Sequence, residues 1–138
     1  MRKIGLDVGD VRIGVAVSDL SGLIACPRET YQRRAPAADA EYFKKLAEIE
    51  NADELVLGLP VNMDGTRGER VRLIEEYGEG LRELTGLPVV YMDERLTTVQ
   101  AERSLIESNM RREKRKLVID KVAASLILQA YLDKIKRR

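Results

Sequence analysis

The chain has no histidine and no tryptophan, one phenylalanine and a single cysteine, Cys26, in 138 residues. Without histidine there is no imidazole to shuttle protons or ligate a metal, and one cysteine excludes both an internal disulfide and a cysteine zinc cluster. Any metal ion must therefore be held by oxygen, which selects hard divalent cations, Mg2+ or Mn2+. One Phe and five Tyr argue against an extended aromatic platform for unstacked bases. No run of about 18 apolar residues is present, and the apolar start is broken by Asp7, Asp10 and Arg12, so no signal-peptide pattern forms. The expectation is a cytoplasmic protein with no membrane contact. Nor is there an internal repeat, a low-complexity tract or a linker; a length of 138 residues suits one domain, 1–138, with a sizeable core.

The net charge of +1 hides an asymmetry. Residues 1–110 hold 14 Lys/Arg against 20 Asp/Glu, or −6, whereas residues 111–138 hold 10 against 3, or +7. Clustered cations of this kind give sequence-independent affinity for phosphates, although a solvated surface tail has the same composition.

Hydrophobic alternation marks strands at 3–8 and 12–18, joined by a Gly9-Asp10 hairpin signal, and a third strand at 23–31 after Ser21-Gly22. A helix over 37–50, a strand over 54–59 and a loop over 60–65 follow. Thr66 and Glu69 have capping-box spacing for a helix reaching 85, with Ile74, Tyr77, Leu81 and Leu84 as its apolar stripe and Gly86-Leu87-Pro88 as its stop. A strand over 89–92 opens onto Asp93-Glu94-Arg95. Thr97 and Gln100 start a further helix to about 109, and a basic loop over 110–116 leads to a last helix over 117–134. Three antiparallel strands followed by parallel ones, alternating with helices, predict an α/β fold with a mixed five-stranded sheet and helices on both faces.

Three acids stand out against that frame. Alternation puts Ile4, Leu6 and Val8 on one face of the first strand and Gly5, Asp7 and Gly9 on the other. The second strand opposes Val11, Ile13, Val15 and Val17 to Arg12, Gly14, Ala16 and Ser18. If the small faces align, Asp7 stands in a shallow floor of Gly and Ala, with room for a metal ion or a closely packed helix. A carboxylate in an otherwise apolar strand is costly unless paired or bound to a cation. Asp120 sits above Ala123, Ala124 and Ile127 on the buried side of the last helix; an acid in a first helical turn also simply complements the helix dipole. Asp93 and Glu94 lie at the carboxyl end of the fifth strand, where ligands gather in α/β sheets, and alternation lets only one face Asp7. Glu94 is favoured, Asp93 second. Clustered carboxylates repel unless a cation intervenes, so a divalent metal site explains the set.

The segments GLDVGDVRIGVAVSD, LVLGLPVNMDGTRG, YMDERLTTVQAE and IDKVAASLILQAYLD together resemble the YqgF family, also called RuvX, of the ribonuclease H-like superfamily, over nearly the whole chain. The resemblance implies a ribonuclease H-like nuclease domain in which Asp7, Glu94 (with Asp93) and Asp120 are the metal-binding acids. It further implies nuclease action on structured nucleic acid, with maturation of the 5′ end of 16S ribosomal RNA and resolution of Holliday junctions as the two candidate roles. A two-metal mechanism needs no histidine or cysteine: Asp7 would bridge the ions, and Glu94 and Asp120 would each hold one side. Arg12, Arg95, Arg111, Lys114, Arg115 and Lys116 are the candidate nucleic-acid contacts. Thr97 and Thr98 are candidates for a phosphate at a helix N-terminus or for simple capping. The 62–68 loop is a candidate wall of the cleft or an ordinary turn. The opening motif also resembles the phosphate-binding hairpin of the actin, Hsp70 and sugar-kinase superfamily, but one 138-residue domain lacks that superfamily's second half. A non-catalytic nucleic-acid-binding factor is the alternative of another class. Monomer and homodimer both stay open.

Overall fold

The computed structural model describes residues 1–62, 64–96 and 112–136. Its sheet has five strands, β1 (Arg2–Val8), β2 (Arg12–Ser18), β3 (Ala25–Gln32), β4 (Ala52–Leu59) and β5 (Val89–Asp93), in the order β3-β2-β1-β4-β5. The first three pair antiparallel as hairpins, and β1–β4 and β4–β5 pair parallel. Helices α1 (Pro36–Glu50) and α2 (Glu69–Thr85) cover one face, and α3 (Arg112–Lys136) covers the other. The mixed α/β sheet expected from the sequence is what forms.

The alternation of β1 and β2 divides the core as predicted. Ile4, Leu6, Val8, Ile13, Val15 and Val17 pack with Phe43 and Leu46 of α1 and with Val71, Ile74 and Leu81 of α2. Ala16, Val56 and Met92 face the other way, onto Ala123, Ala124, Ile127 and Leu128 of α3. Val11 is a departure: it lies in the turn before β2 and is 54% exposed, since a hairpin turn does not continue the strand's alternation. Leu84 is a second departure at 52% exposed. The buried face of α2 runs Val71, Ile74, Gly78, Leu81, Thr85, and Thr85 takes the place assigned to Leu84, its hydroxyl donating to the Leu81 carbonyl at 2.6 Å.

Helix ends follow local chemistry. Pro36 occupies the first turn of α1, where a missing N–H costs nothing. Asn51 closes that helix in the left-handed region at φ 54°, a conformation Asn tolerates. Thr66 does not cap α2: Gly68 is the N-cap. The Thr66 hydroxyl donates instead to Asp64 at 2.7 Å, and the amide of Asn62 donates to the same hydroxyl at 2.9 Å. A local side-chain turn has outcompeted the helix for that hydroxyl. Residues 112–116, expected in a basic loop, are the start of α3. Glu, Lys and Arg are good helix formers, and neither Gly nor Pro interrupts 112–136.

Candidate active site

The carboxylates are positioned by glycines. Asp7 of β1 pairs with Gly14 of β2, so the two residues present the same face. One step past the Leu6–Leu57 pair of β1 and β4, Asp7 is level with Gly58. Across the sheet this makes a row Gly14, Asp7, Gly58, directed at α3. A Cβ at Gly14 would lie 1.7 Å from the carbonyl oxygen of Asp120, and one at Gly58 would lie 2.5 Å from Ile127 Cδ1 and 3.2 Å from Glu94 Cγ. The space left by two missing side chains is thus filled on one side by the backbone of Asp120 and on the other by the side chain of Ile127, with Glu94 Cγ next to it. A Cβ at Gly5, two residues before Asp7, would meet Leu128 Cβ at 2.7 Å, so the same floor of glycines lets α3 lie directly on the sheet. Asp7, Glu94 and Asp120 are all half-buried, and the Glu94 Oε1 atom is fully so.

The two acids at the end of β5 take different roles. Asp93 pairs with Leu59, whose side chain belongs to the core under α1 and α2. Its carboxylate accepts from Arg95 Nε at 3.0 Å, from Arg95 Nη2 at 2.7 Å and from the Arg95 amide at 2.9 Å. The Arg95 bonds hold the Asp93 carboxyl below the usual carboxylate range, and Asp93 in turn raises Arg95. Glu94 begins the short 3-10 turn Glu94–Leu96, and its side chain reaches Gly58 on the α3 side. The structure therefore gathers Asp7, Glu94 and Asp120 on one face and sets Asp93 apart with Arg95.

Asp120 is also engaged. Its Oδ2 accepts from Arg12 Nε at 3.0 Å, the two side chains being 20% and 30% exposed. Among the described residues no three acids converge tightly enough to hold one ion in this arrangement. The donors fit a hard divalent cation in kind, all being carboxylate oxygens, and they share the face of the sheet on which α3 lies. The pairing with Arg12 sets Asp120's present orientation.

Of the other predicted contacts, Arg111, Thr97 and Thr98 lie outside the described residues, as does the helix expected over 97–109. The backbone of Lys114, Arg115 and Lys116 is in the first turns of α3. Gly65 approaches Arg95, whose Nη1 would lie 3.5 Å from a Cβ at that position. A cavity of about 360 Å3 lined by Val8, Gly9, Arg33, Arg70, Leu73 and Tyr77 opens on the α1–α2 face and holds none of the candidate acids. Gly58 escaped the sequence reading, although a lone glycine inside the apolar run Leu55-Val56-Leu57-Gly58-Leu59 is a recognised sign of close approach.

A family model described as "RuvX: Holliday junction resolvase" matches residues 1–134. The chain belongs to the RuvX family. Among curated relatives, a "Putative pre-16S rRNA nuclease" from Caldanaerobacter subterraneus subsp. tengcongensis is 49% identical over 137 residues, covering 99% of both chains. One with the same name from Thermoanaerobacter pseudethanolicus is 48% identical over the full length of both. Among solved structures, Thermus thermophilus RuvC in complex with a Holliday junction substrate superposes with a TM-score of 0.58 over 99% of this chain and 96% of that one, at 12% identity. At that identity the likeness concerns the fold, which is ribonuclease H-like. The RuvX chain shares with RuvC its mixed sheet and helix arrangement.

Proposed function

We propose that this RuvX chain is a divalent-metal-dependent nuclease that hydrolyses phosphodiester bonds of structured nucleic acid, acting in 5′-end maturation of pre-16S rRNA. The observation that carries the reading is the row Gly14, Asp7, Gly58, in which Gly14 admits the backbone of Asp120 and Gly58 admits Ile127 with Glu94 Cγ beside it, on the face that Asp7 presents. A structural pair would need one partner for Asp7; three acids from a strand centre, a strand end and a helix make a set of cation ligands. The names carried by full-length relatives at nearly half identity favour the ribosomal RNA substrate over a DNA junction.

Asp7, Glu94 and Asp120 are the residues that would hold divalent cations. Divalent cations so held supply charge neutralisation at the phosphoryl group and a more acidic attacking water. Asp7 is fixed by its strand, so it orients whatever it binds against the sheet and loses little freedom in doing so. Asp93 holds the amide and guanidinium of Arg95 in place by four bonds beside Gly65. Arg12 and the cationic tract from Arg111 to Lys116 supply the phosphate affinity, and with few aromatics recognition rests on backbone shape and charge.

The test is cleavage by the purified chain of precursor 16S RNA and of a four-way DNA junction, side by side, with Mg2+ or Mn2+, for the wild type and Asp7→Asn. The expected result is cleavage of the precursor RNA that Asp7→Asn abolishes without loss of fold. Equal activity in a pure, folded Asp7→Asn would refute the metal role. Preferential cutting of the junction would move the substrate to branched DNA. Binding of nucleic acid with no cleavage under any divalent cation would make the chain a binding factor.

A further inference from the structure

We infer that Arg12 is an electrostatic latch on the active site: it holds Asp120 when no nucleic acid is bound and exchanges that carboxylate for a backbone phosphate, releasing Asp120 to the metal. The inference rests on the proposed metal site and adds to it a coupling between the two ligands. Arg12 opens β2 two residues before Gly14, so both project on the same side of the sheet, the side on which α3 lies. Gly14 brings the Asp120 backbone into contact with β2, and that approach places the Asp120 carboxylate 3.0 Å from Arg12 Nε. Among the described residues, Asp120 is the one acid bridged to Arg12.

In this state the guanidinium stands where a cation held by Asp120 would feel it most. A guanidinium and a divalent ion within a few ångströms repel, and partial burial of the pair weakens screening. The contact to Asp120 is made through Nε alone. Phosphate offers the guanidinium a bidentate, charge-assisted partner, so an incoming nucleic-acid strand competes effectively for Arg12. Once Arg12 turns to phosphate, Asp120 loses its cation and gains the capacity to hold another. Metal and nucleic acid then bind with positive cooperativity, and linkage requires each to raise the other's affinity by the same factor.

The experiment measures Mn2+ affinity of the full chain by electron paramagnetic resonance of the free ion. Wild type, Arg12→Gln, Arg12→Lys and Asp7→Asn are compared, each checked for fold by circular dichroism. Without nucleic acid, Arg12→Gln is expected to bind Mn2+ about fivefold or more tightly than wild type, with Arg12→Lys between them. Adding nuclease-resistant phosphorothioate four-way junctions, of RNA and of DNA, is expected to tighten Mn2+ binding by wild type and to leave Arg12→Gln unchanged. Equal or weaker Mn2+ binding by Arg12→Gln, or a nucleic-acid effect of the same size in both proteins, would overturn the latch. If wild type shows no Mn2+ binding that Asp7→Asn removes, the metal site itself falls and the latch with it. Asp7-dependent binding that ignores Arg12 sinks the latch alone.

Discussion

Gly14→Ala is the sharpest perturbation of the proposed site, because it adds one methyl group to the place where β2 and α3 touch. The new Cβ would lie 1.7 Å from the carbonyl oxygen and 2.1 Å from the carbonyl carbon of Asp120. Both are main-chain atoms, so no rotamer change relieves the clash. Ordinary contact begins near 3.5 Å, so α3 must withdraw by roughly 1.5–2 Å at Asp120. Overpacking of this kind costs about 1–3 kcal/mol, and the upper end applies here because withdrawal also loosens Ala123, Ala124 and Ile127 against the sheet. At about 4 °C per kcal/mol for a domain of this size, Tm should fall by roughly 8–12 °C. Misplacing a catalytic group by about 1 Å is enough for a 100-fold loss of rate, so cleavage should drop by at least that factor at temperatures where the variant is still folded. Two other glycines calibrate the effect. Gly58→Ala meets first the flexible end of Ile127 and should cost less, while Gly80→Ala in α2 meets nothing within 4 Å and should stabilise by about 0.5–1 kcal/mol. Melting curves and single-turnover cleavage of the three variants decide the matter. A Gly14→Ala protein that melts within about 1 °C of wild type and cuts at the wild-type rate would refute the claim that this contact positions Asp120.

The remaining expectations concern other parts of the molecule. Asp39 is fully buried and accepts from Tyr31 Oη, Tyr77 Oη and the Arg34 amide, each at 2.8 Å; Asp39→Ala strands these donors and should cost about 3–5 kcal/mol in urea unfolding, with Asp39→Asn costing less. Burial, with the Asp39 hydrogen bond second, pushes the Tyr31 phenol up to about 12, against about 10 in the unfolded chain. The stabilisation is therefore complete below pH of about 10 and is lost as pH rises through about 12; Tyr31→Phe should reduce the alkaline slope of Tm against pH, and an unchanged slope would contradict this. Asp93→Asn should leave Mn2+ affinity nearly intact while loosening Arg95, whereas Glu94→Gln should cut Mn2+ affinity at least about tenfold. The reverse order, read by the same titration, would exchange the roles of the two acids.

How much of this was legible beforehand depends on whether the information was local. The two faces of β1 and β2 follow from period-two alternation, and Asp7 stands out because it breaks an apolar strand. The rule that only one of Asp93 and Glu94 can face Asp7 is likewise local, and the structure separates them on the two sides of the sheet. The row Gly14, Asp7, Gly58 was not legible, because it depends on a parallel register between β1 and β4 that no short segment encodes. Asp39 reads as an ordinary acid in a first helical turn, and only the arrival of Tyr31 from β3 and Tyr77 from α2 makes it a buried hub. Thr66 shows the opposite failure: the capping-box spacing is present, but Asp64, two residues earlier, takes the hydroxyl first. Val11 lies in the turn just before β2 begins, and Leu84 falls one residue short of the buried position that Thr85 takes at the end of α2.

Packing and chemistry are competing explanations for glycines in a strand, and here they are the same explanation. Gly5, Gly14 and Gly58 admit α3 to the sheet, and any helix seated so closely would stabilise the fold whether or not it carried an acid. Yet the residue whose main chain rests on Gly14 is Asp120, and Glu94 lies next to Ile127 among the side chains beside Gly58. Bulkier residues at the two positions flanking Asp7 would hold α3 and the end of β5 away from it, and the three carboxylates would then be separate surface acids. The same closeness carries an electrostatic penalty for three acids on one face, and Arg12 offsets part of it through Asp120. Close packing thus seats Asp120 against the sheet beside Arg12, and that guanidinium supplies the positive charge which Asp120 meets in this arrangement.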